Sequence, residues 1–362
     1  GFHFGSPLTD PDNLAGITAA TKAINDAGGI NGRPLVIKTC SDNNDVNQAT
    51  ICARKAIDDS DVLSLIDVGS SYGDAYTPLL EKASLANLGD LPSGKADQNS
   101  TISFPLYGGT FTTIVSATAA IKHLDAKKIG VPYVGIPAGA QLPPFIKRIV
   151  EPMGGSVVGV QAIPITATDY SSFAAKEIAD KPDVIVDGLT ADMYTKFIRA
   201  VRQQGGTDIK FLASTGVFDV GQIAKLFPGD KNIYMVEQYD HTAPGYQHFL
   251  QDMDKYNKSY PNRNDGATSG WLGTYAFAQG IKALIDSGKT EPTRADFVQY
   301  LNKQTNFDVE GLTGGINFTK PNTSLGGGTP RVFNDRVWLS HVEGDKATPL
   351  NGGKPFSLFL ED

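Results

Sequence analysis

Asn25-Asp26-Ala27-Gly28-Gly29-Ile30-Asn31-Gly32-Arg33-Pro34-Leu35 is the stretch that decides how this chain is built. Upstream of it Leu14, Ile17, Ala20 and Ile24 recur at helical spacing, and Asp10 or Asp12 is placed to cap the helix start. Gly28 sits where a helix ends in a left-handed residue. Asn31-Gly32 is a tight-turn pair. Leu35-Val36-Ile37-Lys38-Thr39 then reads as a strand. A helix is reversed into a strand through an exposed double-glycine turn, which makes an α/β connection.

The same alternation runs outward from this point. Strands are expected at 2–4, 35–40, 62–68, 129–134, 157–163, 184–187, 211–213 and 233–236, with helices between them, among others at 46–58, 75–86, 145–153 and 191–204. Repeated β-α-β order implies an α/β chain with parallel sheets and helices on both faces. Helices then follow one another at 246–260, 268–287 and 293–304. A Gly-rich tail (Gly311, Gly314, Gly315, Gly326-Gly327-Gly328) and a last strand at 331–341 close the pattern. Open parallel sheets bind ligands at the carboxyl ends of their strands, so the loops there are where a site is sought.

Composition narrows the function. The chain has 362 residues, a length that favours two domains. Its net charge is −7 and no Lys/Arg run is dense enough to track phosphates, so nucleic acid is excluded as a partner. No apolar stretch reaches bilayer-spanning length. The chain opens inside a strand, Phe2-His3-Phe4, which fits a cytosolic protein or one whose targeting segment has been removed. His241 and His248 lack a metal-ligand pattern around them, and the Gly-rich tail lacks the Gly-Lys-Ser/Thr ending of a phosphate loop. No metal or cofactor is expected.

Gly69-Ser70-Ser71-Tyr72-Gly73 follows the strand at 62–68 and can be read in three ways. As Gly-x-Ser-x-Gly it is a nucleophile elbow with Ser71 as nucleophile. As a strand-to-helix junction it offers backbone N–H groups and two hydroxyls to a carboxylate or other anion. Most simply, both serines cap the helix. Ser93, Gly94 and Lys95 follow the next element. There Ser93 and Gly94 offer hydroxyl and backbone groups, and Lys95 either meets an anion or points to solvent.

The ordered set of motifs resembles the extracellular solute-binding proteins of ABC importers, in the leucine/isoleucine/valine-binding branch of the type I periplasmic binding proteins. The double-glycine turn resembles that family's first helix-to-strand junction. Ser41-Asp42-Asn43 to Asn47-Gln48-Ala49 resembles its Asp-rich turn, and Ile66-Asp67-Val68-Gly69-Ser70-Ser71 its serine-bearing ligand loop. Thr168-Asp169-Tyr170-Ser171-Ser172-Phe173 resembles a helix start of the family and Lys181-Pro182-Asp183-Val184-Ile185 its next strand. Gly270-Trp271-Leu272-Gly273-Thr274-Tyr275-Ala276 resembles a late helix of its first lobe. The likeness covers nearly the whole chain.

The resemblance implies a two-lobed type I periplasmic-binding-protein fold, each lobe an open parallel sheet flanked by helices. Three hinge crossings are then expected near 104–109, 237–239 and 311–316. Residues 1–106 and 240–313 would form lobe one, and 107–239 and 314–362 lobe two. It also implies export to the periplasm or the outer face of the cell membrane, with a tether carried by a removed N-terminal segment. Cys40 ends the strand after the turn, and Cys52 shares an apolar helix stripe with Ala49, Ala53 and Ala56. The two are either buried thiols or a disulfide, and an exported family favours the disulfide.

For function the resemblance implies a non-enzymatic, monomeric receptor that closes around a small ligand and docks on a membrane permease. Ser70, Ser71, Ser93, Gly94 and Lys95 would contact the ligand from lobe one, with Tyr72, Tyr107, Phe218 and Tyr239 lining an aromatic-friendly pocket. In the amino-acid-binding members an acidic side chain and a tyrosine of lobe two meet the ligand ammonium. Here Thr215 and Leu189 fall at those positions, and Ala138 or Gly139 where another aromatic sits. A buried ammonium without a carboxylate is costly, so a small carboxylate, aromatic by preference, is expected. A branched-chain amino acid is the alternative, with Asp187, Asp192 or Asp219 serving the ammonium. A serine hydrolase and a sensing domain without transport are the other readings.

Overall fold

The computed structural model describes residues 1–5, 10–109, 111–136, 139–216, 218–323 and 328–358. The chain divides into two compact units, Gly1–Thr110 with Tyr239–Asp335, and Phe111–Gln238 with Arg336–Ser357. Among the described residues no helix is long and apolar enough to cross a membrane.

Unit 1 opens with β1 (Phe2–Gly5), α1 (Asp10–Asp26), β2 (Lys38–Ser41), α2 (Val46–Asp58), β3 (Ser64–Ile66), α3 (Gly73–Lys82), β4 (Ala86–Leu88), α4 (Lys95–Asn99) and β5 (Ser103–Phe104). The strands pair in parallel in the order β2-β1-β3-β4-β5. At the double-glycine turn Gly28, Gly29, Asn31 and Gly32 all have positive φ. A Cβ on Gly29 would lie 2.2 Å from the Arg33 carbonyl oxygen, so the turn closes only over a glycine. The strand after it begins at Lys38 rather than at 35, because pairing with β1 starts at Phe2 opposite Lys38. Asp10 and Asp12, the expected caps, both lie within α1 rather than ahead of it. Asp12 does another job, accepting from the Tyr260 hydroxyl and from Asn262 and Asn264.

On α2, Asp45 caps the start by accepting the Gln48 N–H, and Ala49, Cys52, Ala53 and Ala56 face inward. A disulfide joins Cys40 to Cys52 across a Cα separation of 5.7 Å, tying β2 to α2.

Unit 2 runs through α5 (Phe111–His123), β6 (Lys128–Val134), α6 (Leu142–Val150), β7 (Ser156–Ile163), α7 (Ser171–Asp180), β8 (Val184–Ile185), α8 (Ala191–Gln203), β9 (Lys210–Ser214), α9 (Val220–Leu226) and β10 (Ile233–Glu237). The order β7-β6-β8-β9-β10 repeats that of unit 1, and these strands are parallel. Each sheet thus switches direction beside its first strand, which opens a crevice at the carboxyl ends. Tyr194, Phe197 and Phe211 centre the core of unit 2.

The chain returns to unit 1 through α10 (Pro244–Tyr256), α11 (Asp265–Asp286) and α12 (Arg294–Leu301). Phe249, Trp271, Phe277 and Phe297 pack with α1 on one face of the sheet, and Phe2, Phe4, Leu65 and Tyr76 fill the other. A Cβ on Gly16 would meet the Ala267 carbonyl oxygen at 1.9 Å, and one on Gly270 the Asn13 oxygen at 2.0 Å, so α1 and α11 touch backbone to backbone.

The third boundary falls between Asp335 and Arg336, not near 313, and a fourth follows Ser357. Phe318 packs on Phe104 and Phe333, and the Arg331 guanidinium stacks on Phe104 and Phe333 while donating to the Ser103 carbonyl. These contacts keep residues 314–335 in unit 1. Tyr107 and Tyr239, expected in lobe two, also belong to unit 1. The last strand is β11 (Trp338–Glu343), which forms an antiparallel hairpin with β12 (Lys346–Pro349), so the sheet of unit 2 is mixed rather than wholly parallel.

Candidate functional site

In unit 1 the carboxyl ends of β3, β4 and β5 lead into residues 67–72, 89–95 and 105–107. β3 stops at Ile66 because Asp67 adopts a left-handed conformation, φ +51°. Its carboxylate accepts from Asn13 at 2.6 Å and from the Ser269 hydroxyl. Strain at a non-glycine residue beside a strand end is a mark of functional loops. Tyr107 and Tyr239 lie beside it, ring centroids 6.0 Å apart. Burial, and then the Asp67 charge for Tyr107, keep both phenols protonated.

The serine-bearing loop follows β3. Ser70 is buried and its Oγ accepts the Tyr72 N–H at 3.4 Å, while Ser71 is exposed. Neither serine caps α3, which starts at Gly73 without a side-chain cap. The Tyr72 hydroxyl donates to the Asn44 carbonyl at 2.6 Å and braces the β2–α2 turn. Ser71 is not left-handed, and among the described residues no histidine hydrogen-bonds to it, so the elbow reading gains no support.

After β4, Ser93 Oγ is buried with no hydrogen-bond partner among the described residues. Gly94 donates its N–H to Asp97 at 3.2 Å, and Lys95 is exposed.

In unit 2 the expected set divides. Leu189 and Phe218 are core residues, because both side chains pack among Tyr194, Phe197 and Phe211. Thr215 is buried, its hydroxyl donating to the Val236 carbonyl at 2.9 Å. Ala138 lies outside the described residues. Of the three alternative acids, Asp192 is exposed and paired with Lys196 at 2.6 Å, and Asp219 caps α9 by accepting the Gln222 N–H at 2.7 Å. Asp187 alone sits past a strand end, where it accepts only long bonds, from Leu189 N–H at 3.3 Å and Ser214 N–H at 3.5 Å. Burial pushes its pKa up to about 7.

Sequence reasoning missed the Asp67–Ser269 contact, and also Asp90 and Asp97, which lie behind the Ser93 loop. Only the positions of Asp67 and Asp90 just past strand ends could have flagged any of them. A separate cavity of about 730 Å³ in unit 1, lined in part by Ile30, Leu35, Val62 and Phe277, lies at the amino ends of the strands, away from these loops. Among the described residues no group of three or more His, Cys, Asp or Glu side chains could hold a metal ion.

The family described as periplasmic binding protein matches residues 5–328. No curated protein matches the chain. Among solved structures, a substrate-binding periplasmic protein from Ralstonia solanacearum is similar at TM-score 0.77 and 19% identity, over 96% of this chain and 99% of that one. A solute-binding protein of an ABC transporter from Rhodopseudomonas palustris HaA2, in complex with p-hydroxybenzoic acid, gives 0.74 and 18%, over 97% and 94%. A branched-chain amino acid transporter substrate-binding protein from Streptococcus pneumoniae, in complex with isoleucine, gives 0.70 and 15%, over 96% and 97%.

Proposed function

The chain belongs to the periplasmic binding protein family, and on that premise we propose that it is an exported, monomeric receptor that captures a small carboxylate and delivers it to the permease of an ABC importer. The observation that carries the ligand class is the Ser93 hydroxyl, buried past β4 without a partner among the described residues. A buried polar group left unpaired forfeits about 1–3 kcal/mol. A ligand carboxylate that accepts from it recovers that loss. The uncapped start of α3 beside Ser70 and Ser71 adds N–H donors of the same polarity. Tyr107 and Tyr239 supply aromatic surface in the same unit. The Rhodopseudomonas palustris protein holds an aromatic carboxylate on the same fold.

A second reading has its own observation. Asp187 is a poorly served carboxylate at the end of β8, placed to receive an ammonium. On that reading the ligand is a branched-chain amino acid, as in the Streptococcus pneumoniae protein.

Thermal shift followed by isothermal titration with leucine, valine and a benzoate series separates the two, because a ligand that binds only the folded state raises the melting temperature. Binding of 4-hydroxybenzoate with leucine silent is the expected result. Leucine binding with every benzoate silent overturns the carboxylate reading in favour of Asp187. Acylation of Ser71 by an activated ester would replace both with a hydrolase.

A further inference from the structure

The Ser93 loop does not stand alone. Asp97 of α4 is fully buried, and its Oδ1 accepts from Thr77 Oγ1 of α3 at 2.5 Å while its Oδ2 accepts the Gly94 N–H at 3.2 Å. A Cβ on Gly73, the first residue of α3, would lie 1.7 Å from Asp97 Oδ2, so the start of α3 rests on this carboxylate. In the other direction Asp74 of α3 accepts the Ala96 N–H at 2.7 Å. Gln98 holds the Pro92 carbonyl at 3.0 Å from behind. Two carboxylates therefore cross between the loops after β3 and β4, each carried by one helix and accepting from the other.

We propose that Asp97 is the positioning residue that holds residues 70–72 and 93–95 in one arrangement, and that the order of both loops follows the ionisation of its carboxylate. That these loops meet the ligand rests on the functional reading above; their order does not.

The chemistry is that of a charge-assisted acceptor. An ionised carboxylate binds hydroxyl and N–H donors about twice as strongly as a neutral acid. The charged and titratable groups facing Asp97 are Asp74 and Tyr76 from α3 and Asp90 from the end of β4, with Arg331 beyond Asp90. Asp90 is fully buried and accepts from the Ser103 hydroxyl at 2.7 Å. Burial and then the charge of Asp97 push its pKa well above the carboxylate range, while Arg331 pulls only weakly against this. Burial raises both carboxyls and the Asp97 charge opposes ionisation of Asp90, so the two titrate together. Burial pushes Asp97 up to about 6, against the pull of Thr77 and Gly94, so the bolt loosens as pH falls through that value.

Hydrogen exchange of the unliganded protein tests this at pH 5 and pH 7.5, after correction for the intrinsic pH dependence of exchange. Protection of peptides covering 92–98 and 70–76 should fall about tenfold at the lower pH, with the α2 peptide unchanged. Asp97→Asn should show low protection at both values and no step. Should that variant fail to fold, Thr77→Val keeps the charge, removes one donor and should lower protection at pH 7.5 alone. Equal protection at both pH values in the wild type, or a wild-type step surviving in Asp97→Asn, overturns the proposal. Titration with 4-hydroxybenzoate at the same two pH values should show affinity falling with loop order. A step in exchange with no binding of 4-hydroxybenzoate supports the positioning role and overturns the carboxylate reading instead.

Discussion

The Asn25 carboxamide grips the Leu35 backbone from both sides: Nδ2 donates to the Leu35 carbonyl at 2.8 Å, and Oδ1 accepts the Leu35 N–H at 2.7 Å. The two residues are the ends of the double-glycine stretch, so one side chain clamps the whole reversal from α1 to β2. Leu35 is buried in the core beside α1. Asn25→Ala breaks both bonds and should destabilise unit 1 by about 1–3 kcal/mol, read from urea unfolding. Asn25→Asp keeps the acceptor but turns the donor into a second acceptor facing a carbonyl, and should be no milder. An unchanged unfolding midpoint in both variants would show that the turn is held by its glycines alone.

The disulfide is the second test. Cys40 and Cys52 close a loop of sequence separation 12, which in the chain-entropy model contributes about 3 kcal/mol. Intact-mass analysis with alkylating agent and no reductant should find no free thiol. Removing both cysteines by substitution with serine should lower the unfolding midpoint accordingly. Two alkylated cysteines in freshly secreted protein would refute the pairing.

Glu177 gives a pH signature. It is buried, and Gln161 Nε2 donates to its Oε2 at 2.6 Å. Its Oε1 lies over two glycines of the sheet, where a Cβ on Gly130 would come within 2.2 Å and one on Gly159 within 2.0 Å. Burial pushes the pKa from the ordinary 4.5 to about 8. The folded chain therefore binds more protons than the unfolded chain between those values, and stability falls as pH rises through that window. Glu177→Gln should flatten this slope and be more stable than wild type at pH 9, because each tenfold gain in the proton affinity of the carboxyl on folding corresponds to about 1.4 kcal/mol. Parallel pH–stability curves for the two proteins would place the ionised glutamate in a wetter site than its contacts imply.

Asp187 discriminates ligand classes. If the ligand lacks an amine, Asp187→Asn should leave 4-hydroxybenzoate affinity within about threefold of wild type, since no charge pairing is lost. A loss of binding on the order of a hundredfold for leucine would instead identify the carboxylate as an ammonium partner. Isothermal titration of both ligands against both proteins reads the difference directly.

Much of the architecture is written in local patterns. The helix expected at 46–58 is α2 itself, with its alanine and cysteine stripe turned inward. The glycines of the reversal sit at positive φ as their positions demand. The alternation of elements and the family likeness both follow from spacings of a few residues. β4 and β5 escaped notice because Ala86-Asn87-Leu88 and Ser103-Phe104 lack a β-branched run such as Val184-Ile185-Val186.

The destinations of side chains were not legible, and the reason is physical. Periodicity states that a residue faces inward but not which neighbours it finds there. Leu189 and Phe218 belong to the buried apolar cluster of unit 2, where Tyr194, Phe197 and Phe211 arrive from other elements. Residues 314–335 joined unit 1 because Phe318 and Arg331 meet Phe104 from more than two hundred positions away, with Phe333 packed on both. The buried acids are the sharpest case. Asp67, Asp97 and Glu177 look like ordinary surface carboxylates in a string of letters. Only when Asn13 and Ser269, Thr77 and Gly94, and Gln161 are folded around them do they lose water, gain partners and acquire roles. Chain-local forces set the elements; desolvation and pairing between distant segments set the chemistry.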